Sequence, residues 1–189
     1  MSPEEIVASI GKLEIEVELV LKNNKLEEDI AKTQKQIEKN NAEIGVTQSQ
    51  MGVLEAQGLN ATKSQYAAIV DADRRNLRQY ETIMNDREQQ YNNTLEAYGD
   101  GDSKTIRDFV NYQNAIKDYN NAQEALINDQ ISHEEANIDI IQTRLNTLQT
   151  QATKTSDAIS NAVEAGSTGT REQYEEMITN SISQYSAYQ

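Results

Sequence analysis

Apolar residues recur at heptad spacing along most of this chain, and no proline follows Pro3. Three rows of apolar residues show the repeat. The first is Ile30, Ile37, Ile44 and Met51, the second is Val70, Leu77, Met84, Tyr91 and Tyr98, and the third is Phe109 and Ile116. A seven-residue repeat places a narrow apolar stripe on one side of an α-helix, where it suits a single partner helix. The pattern therefore predicts an all-α protein made of long, paired helices.

The composition favours thin helical packing over a compact globule. Hydrophobic residues make up 37% of the 189 residues, with no Trp, no Cys and one Phe; the usual share, counted with Gly, is about 45–50%. Low hydrophobicity is also typical of disordered chains. The regular apolar spacing and the near-absence of proline argue against disorder here.

Helix start and stop signals divide the chain. Ser2-Pro3-Glu4-Glu5 places Ser at an N-cap, Pro at the first helical position and Glu at the third. The glycine-rich polar segments at 99–103 and 166–169 are breaks. We expect one elongated domain over 1–189, an antiparallel coiled-coil hairpin with four parts: a first arm over 3–98, a turn at 99–103, a second arm over 104–165 and a short C-terminal helix over 170–188.

Three glycines lie within the first arm. Gly45, Gly52 and Gly58 each weaken a helix by about 1 kcal/mol relative to Ala without having to end it. They predict a possible kink at 45–58.

The N-terminal segment is too apolar for a helix with one buried side. Residues 13–19 alternate apolar and acidic, a pattern that also fits a strand, but the upstream capping box favours helix. One short C-terminal helix could not cover so many apolar residues. We therefore predict an assembly interface made of residues from both ends of the chain: Ile6, Val7, Ile10, Leu13, Ile15, Val17, Leu19, Val20, Leu21, Tyr174, Ile178, Ile182 and Tyr185.

Polar residues interrupt the first apolar row at Thr33, Asn40 and Thr47. Polar seam residues lower stability and can specify register or oligomeric state. One interpretation is a marginally stable arm. The other is an arm that acquires its partner only in an assembly.

No residue pattern predicts catalysis, a cofactor or a metal. His133 begins His-Glu-Glu-Ala-Asn, but it is the sole histidine, and a zinc site of the HExxH type needs a second. Asp100 and Asp102 are not followed by the oxygen ligands of a calcium loop. We expect a non-enzymatic protein.

The net charge of −14 limits the partners. It disfavours nucleic acid, which is bound by clustered Lys and Arg, and no apolar run is long enough to span a membrane. The first residues lack the basic n-region and cleavage site of a secretory signal. We expect either export by a route that needs no signal peptide or a cytoplasmic location.

The layout resembles secreted helical filament subunits, in particular flagellin and the filament or tip proteins of type III secretion systems. The shared features are the absence of Cys, abundant Asn, Gln, Ser and Thr, and apolar termini around an antiparallel hairpin. The resemblance implies a structural protein that self-assembles through its terminal helices as a secreted filament or secretion-apparatus subunit. The alternative is an intracellular coiled-coil adaptor or chaperone that binds another helical protein.

Overall fold

A computed structural model describes residues 2–57, 63–164 and 179. Its regular structure consists of three long helices: α1 (Pro3–Ala56), α2 (Lys63–Tyr98) and α3 (Ser103–Glu164). Each helix runs antiparallel to the next. The all-α prediction is confirmed, and residues 13–21, which could have been helix or strand, belong to α1.

The cap predicted at the start of α1 is present. The Ser2 hydroxyl accepts from the Glu5 backbone N–H at 3.2 Å, and the Glu5 carboxylate accepts from the Ser2 N–H at 2.5 Å. Two backbone donors that no helical carbonyl could reach are satisfied in this way.

The sequence predicts a single first arm over 3–98 with a possible kink at 45–58, whereas the described residues of this stretch form two helices, α1 and α2, that fold back on each other. Asn93 of α2 bonds to Asn23 of α1, whereas Asn76 bonds to Asn40, so numbers rise in one helix as they fall in the other. A heptad repeat predicts that a helix pairs with another helix but does not identify the partner. In this structure α1 and α2 pair with each other. Gly45 and Gly52 lie inside α1, and Gly58 is outside the described residues.

α2 and α3 form the second antiparallel pair. The Thr105 hydroxyl donates to the Thr94 carbonyl at 3.2 Å, and the rings of Tyr91 and Tyr112 stack with centroids 6.3 Å apart. The two helices are joined through 99–102, within the segment where the sequence places the turn. Gly99 takes a φ of +82° there, a conformation that glycine adopts without the steric penalty of a Cβ.

The three helices share one core within residues 1–133. Ile30 and Ile37 of α1, Ile83 of α2 and Ala115 of α3 form its buried centre. The α1 residues turned inward alternate by three and four along the helix: Leu19, Asn23, Leu26, Ile30, Thr33, Ile37, Asn40, Ile44, Thr47, Met51 and Leu54. This spacing is that of a coiled-coil seam.

The inner side of α3 differs from the prediction. Phe109, placed on the seam by its spacing from Ile116, is 43% exposed. The buried positions of α3 are instead taken by small or polar residues: Thr105, Asp108, Ala115 and Ala122. The small side chain of Ala115 lets α3 pack against the isoleucine core, which apolar spacing could not reveal.

The chain divides into two compact units, Met1–His133 and Glu134–Gln189. The first contains α1, α2 and the first half of α3. The second contains α3 from residue 134, where Ile138, Ile141 and Leu145 are exposed. The third helix of this protein is long, with 62 residues, and the short helix predicted over 170–188 lies outside the described residues apart from Thr179.

Candidate interaction surface

The apolar residues predicted for the N-terminal interface all lie on α1, and eight of the nine are exposed. Their exposed fractions run from 44% to 70%, for Ile6, Val7, Ile10, Leu13, Ile15, Val17, Val20 and Leu21. The ninth, Leu19, is only 9% exposed because it faces Asn93, Glu96 and Ala97 of α2 across a shallow groove. Leu19 therefore belongs to the intramolecular packing and not to the interaction surface.

Five of the exposed residues form a second heptad seam. Ile6, Ile10, Leu13, Val17 and Val20 are spaced four, three, four and three residues apart; we call these five the outer seam. At about 100° per residue, the outer seam lies roughly 120° around α1 from the inner row that begins at Leu19. The N-terminal segment of α1 is therefore apolar on two sides. The inner row packs against α2, whereas the outer seam has the spacing of a coiled-coil seam but does not pack against α2.

Much of the outer seam lies beyond the end of α2. Asn23 bonds to Asn93 at 3.3 Å, and α2 ends five residues later at Tyr98. In an antiparallel pair, the end of α2 therefore lies opposite about residue 18 of α1. About 15 residues of α1, roughly 22 Å of helix, have no opposing residue in α2.

The charged residues of this segment leave the outer seam apolar. Glu18 and Lys22 form an exposed ion pair at 2.8 Å and lie roughly 120–160° around α1 from the outer seam, by the same angular count. Their hydrogen bond lowers the pKa of Glu18 and raises the pKa of Lys22, with their mutual attraction as the second cause. An exposed pair of this kind contributes little to stability because water and salt screen its charges.

The C-terminal part of the predicted interface is not described. Tyr174, Ile178, Ile182 and Tyr185 all lie outside the described residues. Of the predicted interface, the structure therefore describes only the α1 part.

The polar residues of the first seam have partners within the chain. Asn40 donates to Asn76 at 2.9 Å and to Gln79 at 3.1 Å. The hydroxyls of Thr33 and Thr47 donate to carbonyls one turn back in α1, those of Asp29 and Glu43. The polar groups of this seam are thus satisfied without an assembly, so they do not mark an interface.

A polar centre missed by the sequence reasoning lies where α2 meets α3. Asp73 is 7% exposed and its Oδ2 has no hydrogen-bond partner. The pKa of Asp73 is raised to about 7, first by burial and then by the hydrogen bond and negative charge of Asp129. Asp73 and Asp129 both occupy inward heptad positions, which is the signal that could have indicated them.

The same centre borders a cavity of about 220 Å³. Polar side chains from all three helices line it: Asn41, Asp73, Asn76, Tyr80, Asp118 and Asn121. Burial, and secondarily the charge of Asp118, raises the pKa of Tyr80. The cavity is thus rich in oxygen atoms and poor in positive charge.

Two sequence features considered for metal chemistry have other contacts within the chain. The ring of His133 lies 6.4 Å from that of Tyr66, and Asp102 accepts from the Lys104 backbone N–H at 2.8 Å. Across the described ranges, no group of three or more His, Cys, Asp or Glu side chains is arranged to hold a metal ion. Nor is any helix in those ranges long and apolar enough to cross a membrane.

Comparisons with protein-family models, with curated proteins and with solved structures find no match to this chain.

Proposed function

We propose that this protein is a non-enzymatic structural subunit that self-associates by pairing the outer seam of α1 with a second copy. The observation that carries the proposal is the row of five exposed aliphatic residues at heptad spacing on a helix already packed on another side. Helices that carry two apolar seams serve two partner helices. Here α2 is one partner, and the proposed second copy supplies the other.

The size of the surface argues for a partner with a matching seam. Covering a half-exposed aliphatic side chain contributes on the order of 1 kcal/mol, since full burial contributes about 1.5–3 kcal/mol. Five such residues supply roughly 5 kcal/mol from one chain, against about 4–15 kcal/mol for lost translational and rotational freedom. A second copy that buries its own outer seam doubles this free energy of apolar burial, whereas a polar partner surface adds no apolar burial of its own.

Filament formation is the form of assembly that the resemblance to flagellin and type III secretion filament proteins suggests. A head-to-tail contact that does not close generates an open filament, and a two-fold contact generates a dimer. Negative-stain microscopy at high protein concentration distinguishes the two.

The test measures association on the full chain by sedimentation velocity over a wide range of concentration. We expect reversible association by the wild type and a dissociation constant at least about tenfold higher in the double variant Leu13→Ser with Val17→Ser. The matched control combines Ile127→Ser with Ile131→Ser, since both residues are aliphatic, about half exposed and four residues apart like the test pair but belong to α3. Association of the control should equal that of the wild type.

Two results would overturn the proposal. One is a wild type that stays monomeric at every concentration, which would leave the adaptor or chaperone as the better hypothesis. The other is an outer-seam variant that associates as tightly as the wild type.

A further inference from the structure

The polar cavity between α1, α2 and α3 is open to solvent on one side and reaches the buried helix contact on the other. Its volume of about 220 Å³ equals that of about seven water molecules, at roughly 30 Å³ each. Part of its lining is exposed and part is buried. The exposed residues include Asn41, Asp118 and Asn121, and the buried ones are Asp73, Asn76 and Ala122. The cavity is thus accessible to a small solute and large enough to hold one.

Asp73, at the buried end of the cavity, lacks a partner for one of its oxygens. The residue is 7% exposed, and its Oδ2 makes no hydrogen bond. Buried polar groups in proteins are almost always hydrogen-bonded, because an unbonded one has lost water without replacing it. The two cations that follow it in the chain, Arg74 and Arg75, bind Asp71 and Glu43 instead. A donor that enters the cavity would therefore supply what the described residues do not.

Asp118, at the exposed end of the cavity, is a second carboxylate without an ion-pair partner. Within residues 2–57 and 63–164, no ion pair includes Asp73 or Asp118. Asp118 lies close to Tyr80, since burial and then the negative charge of Asp118 raise the pKa of Tyr80. Among the same residues, no Lys, Arg or His lines the cavity. The cavity therefore presents two carboxyl groups, one from α2 and one from α3, and no positive charge.

The amide side chains beside Asp73 are held in place by their own hydrogen bonds. Asn76 donates to Asn41 at 2.8 Å and accepts from Asn40 at 2.9 Å. These bonds tie α1 to α2 at the wall of the cavity. A polar lining that is already ordered loses little conformational freedom when a ligand binds, which lowers the entropic cost of binding.

The set of oxygen atoms favours an organic cation over a metal ion. Ca²⁺ takes roughly six to eight oxygen ligands, and Mg²⁺ requires a near-octahedral arrangement, whereas the described residues hold no group of three or more His, Cys, Asp or Glu suited to a metal. A primary ammonium group needs only acceptors, to which it donates about three N–H bonds. Its bonds to carboxylates are charge-assisted and stronger than neutral hydrogen bonds. Carboxyl groups at the two ends of the cavity therefore match a cation with two ammonium groups.

We propose that this cavity binds a small aliphatic diamine as its dication, with one ammonium group at Asp73 and the other at Asp118. A diamine with about four carbons has about six non-hydrogen atoms, which fits a space for about seven water molecules. The dication joins α2 to α3 by opposite charges. Because it binds only the folded chain, it also stabilises that chain. The inference does not depend on the proposed self-association.

The test titrates 1,4-diaminobutane into the full chain at about pH 8 and low ionic strength by isothermal titration calorimetry. At this pH the carboxyl group of Asp73 is mostly ionised, since its pKa is about 7, and a primary amine with a pKa near about 10.4 stays protonated. We expect saturable binding of one molecule per chain. Butane-1,4-diol has the same carbon chain without the charges and should not bind.

Single substitutions locate the binding site. Asp118→Asn and Asp73→Asn each remove one charge-assisted contact, so the dissociation constant should rise at least about tenfold in either variant. Asp139→Asn removes the same charge from an exposed position of α3 outside the lining of the cavity, and it should keep the wild-type constant. Since Asp118 is exposed, Asp118→Asn tests the site even if Asp73→Asn does not fold.

The absence of saturable diamine binding would overturn the proposal. So would an equal loss of affinity in Asp139→Asn and Asp118→Asn, because it would reveal a general attraction to a chain of net charge −14. If Ca²⁺ or Mg²⁺ binds in place of the diamine and depends on Asp118, the site takes a metal ion and the proposed class of ligand is wrong.

Discussion

Asn40 of α1 and Asn76 of α2 share a buried hydrogen bond, with Asn40 Nδ2 2.9 Å from Asn76 Oδ1. Asn76 in turn donates to Asn41 at 2.8 Å, and Asn40 donates to Gln79 at 3.1 Å. A polar group inside an apolar seam is satisfied only in the register that brings its partner opposite. This network therefore aligns α1 with α2 more specifically than the aliphatic rows do.

Replacing Asn40 should measure how much this hydrogen-bond network contributes to the free energy of unfolding. In Asn40→Ala, Asn76 and Gln79 each lose a partner in a desolvated place, so the free energy of unfolding should fall by about 1–3 kcal/mol. Urea unfolding followed by circular dichroism measures the change. Asn24→Ala, at an exposed position of the same helix, should change it by less than about 0.5 kcal/mol; equal effects would show that the network does not stabilise the fold.

Ile30 should be among the most sensitive apolar positions. It is 1% exposed and packs with Ile37, Ile83 and Ala115, so Ile30→Ala leaves a cavity among three helices. The free energy of unfolding should fall by about 2–5 kcal/mol, read from the urea midpoint at constant slope. Val46→Ala, also on α1 but exposed, is the control, and a similar loss in both variants would contradict a core centred on Ile30.

The turn between α2 and α3 should be sensitive at one glycine and tolerant at the other. A Cβ at Gly99 or Gly101 would meet no atom within 4 Å, so sterics with neighbours do not distinguish them. Gly99 alone has a positive φ of the two, and an L-residue there costs about 1–2 kcal/mol. Thermal unfolding should therefore show a lower Tm for Gly99→Ala and an unchanged or slightly higher one for Gly101→Ala.

Thr105 should contribute through its hydroxyl. It is 2% exposed and donates to the Thr94 carbonyl of α2 at 3.2 Å, so Thr105→Val removes a buried interhelical hydrogen bond while keeping the shape. We expect the free energy of unfolding to fall by about 0.5–1.5 kcal/mol. Thr147→Val is the control, since the exposed Thr147 hydroxyl donates to the Thr143 carbonyl within the same helix. An equal fall in the free energy of unfolding in both variants would refute the interhelical contribution of Thr105.

Several features of the fold follow from residues close together in the chain. Ser2 and Glu5 form the predicted capping box, the chain turns at Gly99, and the alternating segment from Leu13 is helical despite its strand-like period. Each depends on backbone groups within a few positions of one another. Local sequence patterns describe such interactions well because both partners lie within the same short segment.

The candidate interaction surface was predicted in part. The apolar surplus of the first 21 residues indicated exposed residues on α1, and eight of the nine are exposed. Composition alone could not show that Leu19, unlike the other eight residues, is buried. Its burial depends on Asn93, Glu96 and Ala97, which are more than 70 positions away in the chain.

The residue order within each segment thus specifies that long helices form, where their ends are capped and which sides are apolar, because these depend on contacts one or two turns apart. Pairing between segments depends on packing and charge among distant residues, and the heptad repeat fits several partners almost equally well. Because α1 pairs with α2, α2 folds back along α1 and the two helices do not form a single arm that ends at Tyr98. This pairing also brings Asn40 to Asn76, since an amide inside an apolar seam is satisfied only where the folded chain supplies its complement.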